Sequence, residues 1–530
     1  MLSSPAIGVG RSNGLTRLLA ATALLAAWCA LFWGLLQFLG QARWAVSTPQ
    51  ELDYGEGIIW QQLQMIMDGR GYSPFKSFPA IVFHYPPVYH VMTSVFATAS
   101  GMDDLAAGRT LSVLSTFIAA ILIGVIAGLM TTGSSRASQW LCGGTASLAS
   151  LCCYPIAVWS SHMRVDMLAA ALSLGGLCLS MISLRKPAII YLAALAFVCA
   201  VFTKQTMLAT PGAVFLVLLF VKPQLALRGI GACLGLGLLV LAGLSLATHG
   251  EFLHHIFGYN INRFSIFRLR GIAHVMHQHI VYLLGALTGL GLCLSQLVKQ
   301  GRARKRVALP MSVIDQQNST SVLIAIIYVA IATFFLILVG KSGSTINYYV
   351  DWFFAVSIFV GVSVRPAADA LFAPTNANKS AFFNLSILFP FLVGAGALLV
   401  PPAIHNDKFK NPEYRAELQS LMQRLKDSKR PVISDNMTIL REAGKEVVFE
   451  PAIVAELTAT KVYDERPFLQ MIHNKDFEFF VTEGGRGDEL FGARYSPAVV
   501  AAIYRDYPRV RKMAGLNIRL PVLPPGARED

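Results

Sequence analysis

Two carboxylates stand close together just after the first long apolar segment. Asp53 and Glu56 are three residues apart in the stretch Leu52-Asp53-Tyr54-Gly55-Glu56-Gly57. A bilayer does not solvate a carboxylate, so acids at a membrane edge are kept where they form pairs or do chemistry. A carboxylate in a partly dry place can acquire a raised pKa and act as a general base. The alternative is a wet interfacial loop whose acids only keep it in solvent.

Aromatic and imidazole side chains follow this acid pair along the same segment. The stretch His84-Tyr85-Pro86-Pro87-Val88-Tyr89-His90 offers rings that can stack on a substrate and polar tips that can bind it. We take His84, Tyr85 and Tyr89 as candidate substrate contacts.

A second acid stands in a short turn between two later apolar spans. The turn reads His162-Met163-Arg164-Val165-Asp166. In one interpretation Asp166 is a second catalytic carboxylate that faces the first pair from another helix, with Arg164 binding substrate. In the other, Arg164 and Asp166 pair with each other and cap the helix that follows.

Cations and small polar residues occur at the mouths of further spans. Lys204 lies between two short apolar runs, where it could hold a phosphate or only extend its ammonium to the interface. The segment from Lys341 to Asp351 reads KSGSTINYYVD, and its Asn347 and Tyr348 suit either the wall of a site or a plain connecting turn.

The loop 250–279, which follows the apolar run 229–249, is basic and rich in histidine. It contains Arg263, Arg268 and Arg270, and the histidines with metal-like spacing are His274, His277 and His279. We favour an interfacial loop that contacts lipid phosphates over a metal site. Whether the protein binds a metal is left unknown.

Composition places these residues in a polytopic membrane protein. Of 530 residues, 54% are hydrophobic and only 14% are charged, whereas soluble proteins carry about 25% charged residues. The net charge of +14 comes mostly from short runs between apolar spans, which indicates topology and anionic lipid headgroups, not nucleic acid. No Walker A or Rossmann motif stands between a strand and a helix, which argues against a nucleotide site.

Apolar runs long enough for a bilayer number about eleven and predict a mainly α transmembrane bundle. They lie near residues 18–40, 110–133, 138–161, 167–184, 188–203, 206–221, 229–249, 280–298, 319–340, 346–364 and 380–402. The basic run at 299–306 predicts a cytoplasmic loop. Counting back from it places the N-terminus in the cytoplasm, and the segment 41–109, the candidate residues and the C-terminal tail outside.

The residues outside the spans predict two further structures. Within 41–109, helical spacing of apolar residues predicts two amphipathic helices on the membrane surface, at 57–68 and 86–99. Residues 405–530 contain no span and alternate short apolar strands (431–434, 446–449 and 477–481) with helices near 412–427 and 496–507. We therefore divide the chain into a transmembrane domain, 1–404, and a small extracytoplasmic α/β domain, 405–530.

Taken in order, these residues give the chain a family likeness. It resembles the GT-C glycosyltransferases, polytopic enzymes that use polyprenyl-phosphate sugars, and is most similar to the lipid A aminoarabinose transferase and protein O-mannosyltransferase branch. The matching features are the stretch 53–57, the stretch 85–89, Arg109 at the head of the second span, Arg164-Val165-Asp166, Lys204-Gln205-Thr206, Asn347-Tyr348-Tyr349 and the external C-terminal domain.

The resemblance implies an activity and roles for these residues. A sugar would pass, with inversion, from a polyprenyl phosphate to an envelope glycolipid, a glycan or a protein. A carboxylate of the first loop, Asp53 or Glu56, would be the base, although the family's adjacent acid pair is here separated by two residues. Lys204 and the loop arginines would hold the phosphate, so no cofactor is required, although some relatives use a divalent cation. The expected location is a bacterial inner membrane.

A transporter or flippase of lipid-linked sugars is the alternative. Such proteins are expected to bury charges near the middle of the bilayer and often to consist of repeated halves. Here the ionisable residues gather at one edge and no repeat is evident, which favours the enzyme. The sugar, the acceptor, the base and the oligomeric state are not fixed by the sequence.

Overall fold

The computed structural model describes residues 9–75, 78–260, 262–307, 313–372, 386–399 and 407–522. Within these ranges seven helical segments are long and apolar enough to cross a membrane. They are Gly14–Ser47, Asp104–Met130, Asp166–Ser183, Pro223–Ala247, Ile280–Arg302, Gln316–Gly340 and Ile346–Phe372. The helices concerned are α1 (Val9–Ser47), α4 (Asp104–Met130), α7 (Asp166–Ser183), α10 (Pro223–Ala247), α13 (Ile280–Val307), α14 (Val313–Phe335), α15 (Val350–Ser363) and α16 (Arg365–Phe372). A helical membrane bundle, as the sequence predicts, is confirmed.

Three expected spans form shorter apolar helices. These are α8 (Ile189–Val201), α9 (Ala209–Val221) and α17 (Phe389–Leu399). The first two confirm two separate helices joined by a turn that carries Lys204, although α8 packs on α7 and α10 and α9 packs on α14 and α10 rather than on each other. The third covers only part of the run 380–402, because residues 381–385 and 400–402 lie outside the described ranges.

The expected span at 138–161 is broken. It forms α5 (Arg136–Leu151) and a separate short helix, α6 (Tyr154–Trp159). Cys153 is extended between them and Pro155 lies in the first turn of α6. Proline lacks a backbone N–H and fits the first turn of a helix, so a new helix starts here and turns Trp159 toward the site described below.

The bundle is centred on α15. Every residue of α15 from Trp352 to Ser363 is buried, and the helix packs against α4, α5 and α13. In contrast, α10 packs on α8 and α9 with only three buried residues, Leu225, Ala226 and Gly229. Its remaining apolar surface suits contact with lipid. Two short helices, α11 (Glu251–Leu253) and α12 (Arg270–Gln278), lie between α10 and α13.

The segment 41–109 folds into the two predicted amphipathic helices. These are α2 (Glu56–Met67) and α3 (Val88–Ser100). Nine of the twelve residues of α2 are buried, which is far more than a helix lying on a lipid surface would bury. The reason is that the C-terminal region covers it.

The C-terminal region is an α/β layer built on a four-stranded sheet. Its strands are β1 (Ile433–Ser434), β2 (Phe480–Thr482), β3 (Arg509–Met513) and β4 (Leu516–Leu520), in the order β1-β2-β4-β3, with β1 parallel to β2 and the other neighbours antiparallel. The helices are α18 (Pro412–Asp427), α19 (Met437–Glu442), α20 (Pro451–Ala459), α21 (Arg466–Asn474), α22 (Glu489–Arg494) and α23 (Pro497–Asp506). Both predicted helices, 412–427 and 496–507, are therefore present. The hairpin of β3 and β4 was not predicted, and the expected strand at 446–449 forms only an isolated bridge between Phe449 and Ala80.

Close contacts fix this region on α2. The Gln61 side-chain oxygen accepts hydrogen bonds from the Arg441 guanidinium at 2.8 Å and from the backbone N–H of Val447 at 2.9 Å. A Cβ on Gly57 would lie 2.4 Å from the backbone of Met437, so only glycine allows the two backbones to approach this closely. The C-terminal region therefore packs over α2 and the loop before it, which carries Asp53.

Candidate active site

Glu56 and Arg109 form a buried ion pair beneath the loop that joins α1 and α2. Both side chains are fully buried, and the guanidinium donates to the two carboxylate oxygens at 2.8 and 2.6 Å. The backbone N–H groups of Leu52 and Met163 donate to the same carboxylate at 2.7 and 2.8 Å. Four N–H donors thus converge on the Glu56 carboxylate. They occupy the lone pairs that a general base would need.

The pair also joins separate parts of the chain. Arg109, on α4, donates to the carbonyl oxygens of Ala45 and Thr48 at 2.8 and 2.5 Å, and to that of Gln50. Burial by itself raises the pKa of Glu56, but the charge and hydrogen bonds of Arg109 outweigh it and hold that pKa below its ordinary value. The pair therefore clamps the end of α1, the start of α2 and the turn before α7.

Asp53 is held more loosely. Its carboxylate lies 3.4 Å from the Arg164 guanidinium, and the side chains of Asp53 and Arg164 are 19% and 15% exposed. The backbone N–H of Gly55 donates to the same oxygen, Oδ2, at 3.0 Å. In the described part of the chain the other oxygen accepts no hydrogen bond from protein, so Asp53 is available to a substrate.

Gly55 is needed for this arrangement. A Cβ at this position would lie 1.4 Å from a terminal nitrogen of Arg164 and 3.2 Å from an oxygen of Asp53. Any side chain at position 55 would push the guanidinium away from the loop. The glycine of the Asp-Tyr-Gly sequence is thus required because the position of Arg164 leaves no room for a side chain at residue 55.

Asp166 is the centre of a second cluster, at the start of α7. Lys204 donates to its Oδ1 at 2.5 Å and the Asn347 amide donates to the same oxygen at 3.2 Å. The Trp159 indole N–H donates to Oδ2 at 2.8 Å. The Lys204 ammonium also lies 5.2 Å from the centre of the Tyr348 ring. The structure thus brings Asp166, Lys204, Asn347 and Tyr348 together.

Lys204 is almost completely buried and remains charged. Burial opposes its charge, but Asp166 raises the pKa of Lys204 above its ordinary value. An ammonium has three hydrogens, and in the described residues only Asp166 accepts one of them. Two donors are left for an anion.

The segment from His84 to Tyr89 contributes backbone and ring contacts. The His84 carbonyl oxygen accepts hydrogen bonds from Gln205 at 2.9 Å and Asn260 at 3.4 Å. Burial, followed by the charges of Arg164 and His255, lowers the pKa of His84 to about 3, so its imidazole is neutral near pH 7. Burial raises the pKa of Tyr85, and the charges of Arg164, Asp166 and Lys204 also act on its hydroxyl.

Other candidates have contacts away from these clusters. Tyr89 is buried and donates to the Gly108 carbonyl at 2.9 Å, which fixes α3 on α4. Arg263 pairs with Glu456 of α20 at 2.6 Å. Arg268 and Arg270 are exposed. Where the chain is described, no hydrogen bond or ion pair joins these three arginines to Asp53, Asp166 or Lys204.

The histidines of the basic loop have other contacts. His274 interacts with Gln278 at 3.0 Å, and His279 with the Val275 carbonyl at 2.8 Å. Among the described residues, no three histidine, cysteine or acidic side chains are placed to hold a metal ion.

Two residues of this region were missed in the sequence. Trp159 binds Asp166, and its position three residues before His162 was a local signal that could have been used. Glu450, directly before α20, is buried, and burial raises its pKa while the charge of Arg164 opposes the rise. No sequence signal marks Glu450, because it lies nearly 300 residues beyond Arg164.

Comparison with known proteins supports the fold. No protein-family model matches the sequence, and no curated protein matches it. Two solved structures of ArnT from Cupriavidus metallidurans, one bound to undecaprenyl phosphate and one in the apo state, each match at 15% identity and a TM-score of 0.50, covering 96% of this chain and 98% of theirs. The archaeal oligosaccharyltransferase AglB from Archaeoglobus fulgidus matches at 10% identity and a TM-score of 0.42, covering 85% of this chain and 69% of its own. The fold that the sequence resemblance implied is thus confirmed by the match to ArnT.

Proposed function

We propose that this protein is a membrane glycosyltransferase that moves a sugar from a polyprenyl phosphate to a hydroxyl group of an envelope glycolipid, a glycan or a protein. The observation that carries the proposal is that a fold shared with ArnT, whose solved structure holds undecaprenyl phosphate, contains both an accessible carboxylate, Asp53, and a buried cation, Lys204. A base and a phosphate-binding cation are the two groups that such a transfer requires.

Asp53 is the base in this proposal. Glu56, the other acid of the first loop, is fully buried and accepts from four donors, whereas Asp53 is partly exposed with one oxygen free among the described contacts. The acceptor oxygen attacks the anomeric carbon while Asp53 takes its proton. The bond from that carbon to the phosphate oxygen breaks, and the polyprenyl phosphate leaves. A single displacement inverts the configuration of the sugar carbon.

Lys204 stabilises the leaving phosphate, using the two hydrogens that Asp166 leaves free. Asp166 then has a positioning role, because it holds both Lys204 and Asn347. Tyr85 and Tyr348 line the same place. Arg268 and Arg270 lie on the exposed basic loop, where they bind lipid phosphates at the interface. These cations supply the charge, and the proposal requires no cofactor.

The proposed location follows from helix counting. The candidate residues come from the end of α1, the start of α4, the start of α7, the turn between α8 and α9, and the segment before α15. Counting spans from the basic run at 299–306 assigns all of these ends to the outside. We place the protein in a bacterial inner membrane with a cytoplasmic N-terminus and an extracytoplasmic C-terminal region.

Reconstituted transfer tests the proposal. Purified protein in nanodiscs is incubated either with undecaprenyl-phosphate hexoses and pentoses or with the matching nucleotide sugars. The acceptor is supplied as vesicles of envelope lipids extracted from the cells that produce the protein. Mass spectrometry should detect product only with the lipid-linked donor, and Asp53→Asn should reduce the rate at least ~10²-fold. The matched control is Asp68→Asn, an exposed acid at the end of α2 that pairs with Arg70. Product from a nucleotide sugar alone would overturn the donor. In a parallel reconstitution into sealed liposomes, movement of lipid-linked sugar across the bilayer without product would support the transporter.

A further inference from the structure

Glu450 is a buried acid with an unused oxygen. It is 6% exposed, and its Oε2 has no hydrogen-bond partner among the described residues. It precedes α20 in the position of a helix cap, yet its side chain makes no capping bond. Buried carboxyl groups are normally paired, so this acid calls for an explanation.

The backbone around Glu450 is fixed against the first external segment. Its N–H donates to the Ala80 carbonyl at 3.3 Å, next to the bridge between Ala80 and Phe449. Two residues later, the Ala452 N–H donates to the Tyr54 hydroxyl at 3.2 Å. Tyr54 directly follows Asp53. The C-terminal region thus holds Glu450 at a defined place beside the loop of the proposed base.

Arg164 has unused donors on its side of the same place. Its Nε is buried and has no partner among the described residues, and its single ion pair, with Asp53, is long at 3.4 Å. The Arg164 charge acts on the carboxyl of Glu450. An acid without a partner and a partly used guanidinium therefore lie beside the same loop, Glu450 through the contact of Ala452 with Tyr54 and Arg164 through its contact with Asp53.

We propose that Glu450 is a positioning residue that shares Arg164 with Asp53, so that the C-terminal region controls the orientation of the base. This inference rests on the proposed function of Asp53. When Glu450 is neutral, Arg164 stays on Asp53. When Glu450 is ionised, it attracts the guanidinium, and Asp53 loses its partner.

The change between the neutral and the ionised form of Glu450 falls within a pH range that a transfer assay can cover. Burial raises the pKa of Glu450 to about 8, and Arg164 opposes the shift. The groups that face this carboxyl are Arg164 from the turn before α7 and Tyr54 from the first external segment, with Asp53 acting through Arg164. Because the folded pKa is raised, the neutral form prevails below about pH 8 and is lost as the pH rises further.

The experiment is a pH profile of the maximal transfer rate between pH 6.5 and 9.5. It uses the full-length protein in nanodiscs, undecaprenyl-phosphate sugar and vesicles of envelope lipid extract. We expect the wild-type rate to fall about tenfold above pH 8, the effect of disturbing one charge-assisted contact. Glu450→Gln, which cannot ionise, should stay within about twofold across the range. Glu446→Gln, at an exposed acid paired with Arg70, is the control and should retain the fall.

Each outcome decides the role. A Glu450→Gln protein that keeps the wild-type fall overturns the proposal, whether or not it unfolds at a lower temperature, since the residue would then be structural only. If that variant does not fold, Glu450→Met replaces it, and the same flat profile is expected. An Asp53→Asn protein as active as wild type removes the proposed base. An inactive Asp53→Asn protein together with an unchanged Glu450→Gln profile removes only the positioning role.

Discussion

The two acids of the first loop should respond differently to loss of charge. Glu56→Gln leaves the Arg109 guanidinium buried and without its counter-ion, and turns an amide toward donors that need an acceptor. Breaking a buried pair by changing one partner costs about 3–5 kcal/mol. Since proteins are stable by only about 5–15 kcal/mol, this substitution should strongly lower the yield of folded protein.

Asp53→Asn should cost far less stability. Asp53 is 19% exposed and its ion pair with Arg164 is 3.4 Å long, so the loss should be about 1 kcal/mol or less. The effect on transfer should instead be at least ~10²-fold, because the base is gone. One acid thus supports the fold and the other the reaction.

The assay follows thermal unfolding in detergent by tryptophan fluorescence, with transfer measured on the folded fraction. The double variant Glu56→Gln/Arg109→Met removes both charges, and we expect it to be more stable than Glu56→Gln alone, because no ion remains unpaired. Two results would refute this reasoning: Glu56→Gln unfolding at the wild-type temperature, or Asp53→Asn being destabilised to the same extent as Glu56→Gln.

Three further predictions use the same assays. Gly55→Ala should abolish transfer while the protein still folds, because its Cβ would displace Arg164; Gly40→Ala, where nothing lies within 4 Å, should be silent. Lys204→Ala should raise the half-saturating concentration of the lipid-linked donor by roughly ten- to a hundredfold and Lys204→Arg by less; unchanged donor use by Lys204→Ala would remove its role at the phosphate. Cysteines placed at Ser312 and Ala498 of a cysteine-free variant should be labelled by an impermeant thiol reagent on spheroplasts only at 498, and the opposite pattern would reverse the topology.

Features that depend on local sequence were predicted well. Apolar length identified the spans, and helical spacing identified α2 and α3, because hydropathy and periodicity are properties of a short window. The stretch 53–57 was singled out because acids at a membrane edge are kept where they form pairs or do chemistry, with a wet interfacial loop as the alternative. Even the turn carrying Lys204 followed from basic residues flanking two short apolar runs.

Predictions from short stretches of sequence failed where a single residue changed the local structure. Pro155 divides the expected span at 138–161 into α5 and α6, and this break turns Trp159 toward Asp166. The edge hairpin of β3 and β4 was overlooked, because its strands carry Arg509, Arg511, Lys512 and Arg519 and lack a clear apolar alternation.

The partners of the acids were decided by tertiary structure alone. The sequence offered Asp53 and Glu56 as equals, and a pair of Arg164 with Asp166 was one of its two interpretations of the turn 162–166. In the fold, Glu56 meets Arg109 across 53 positions and Asp166 meets Lys204 across 38, which leaves Arg164 to Asp53. Whether a carboxylate is a buried structural ion or an accessible base depends on which donors surround it. Those donors come from helices far apart in the chain, so only their packing settles the question.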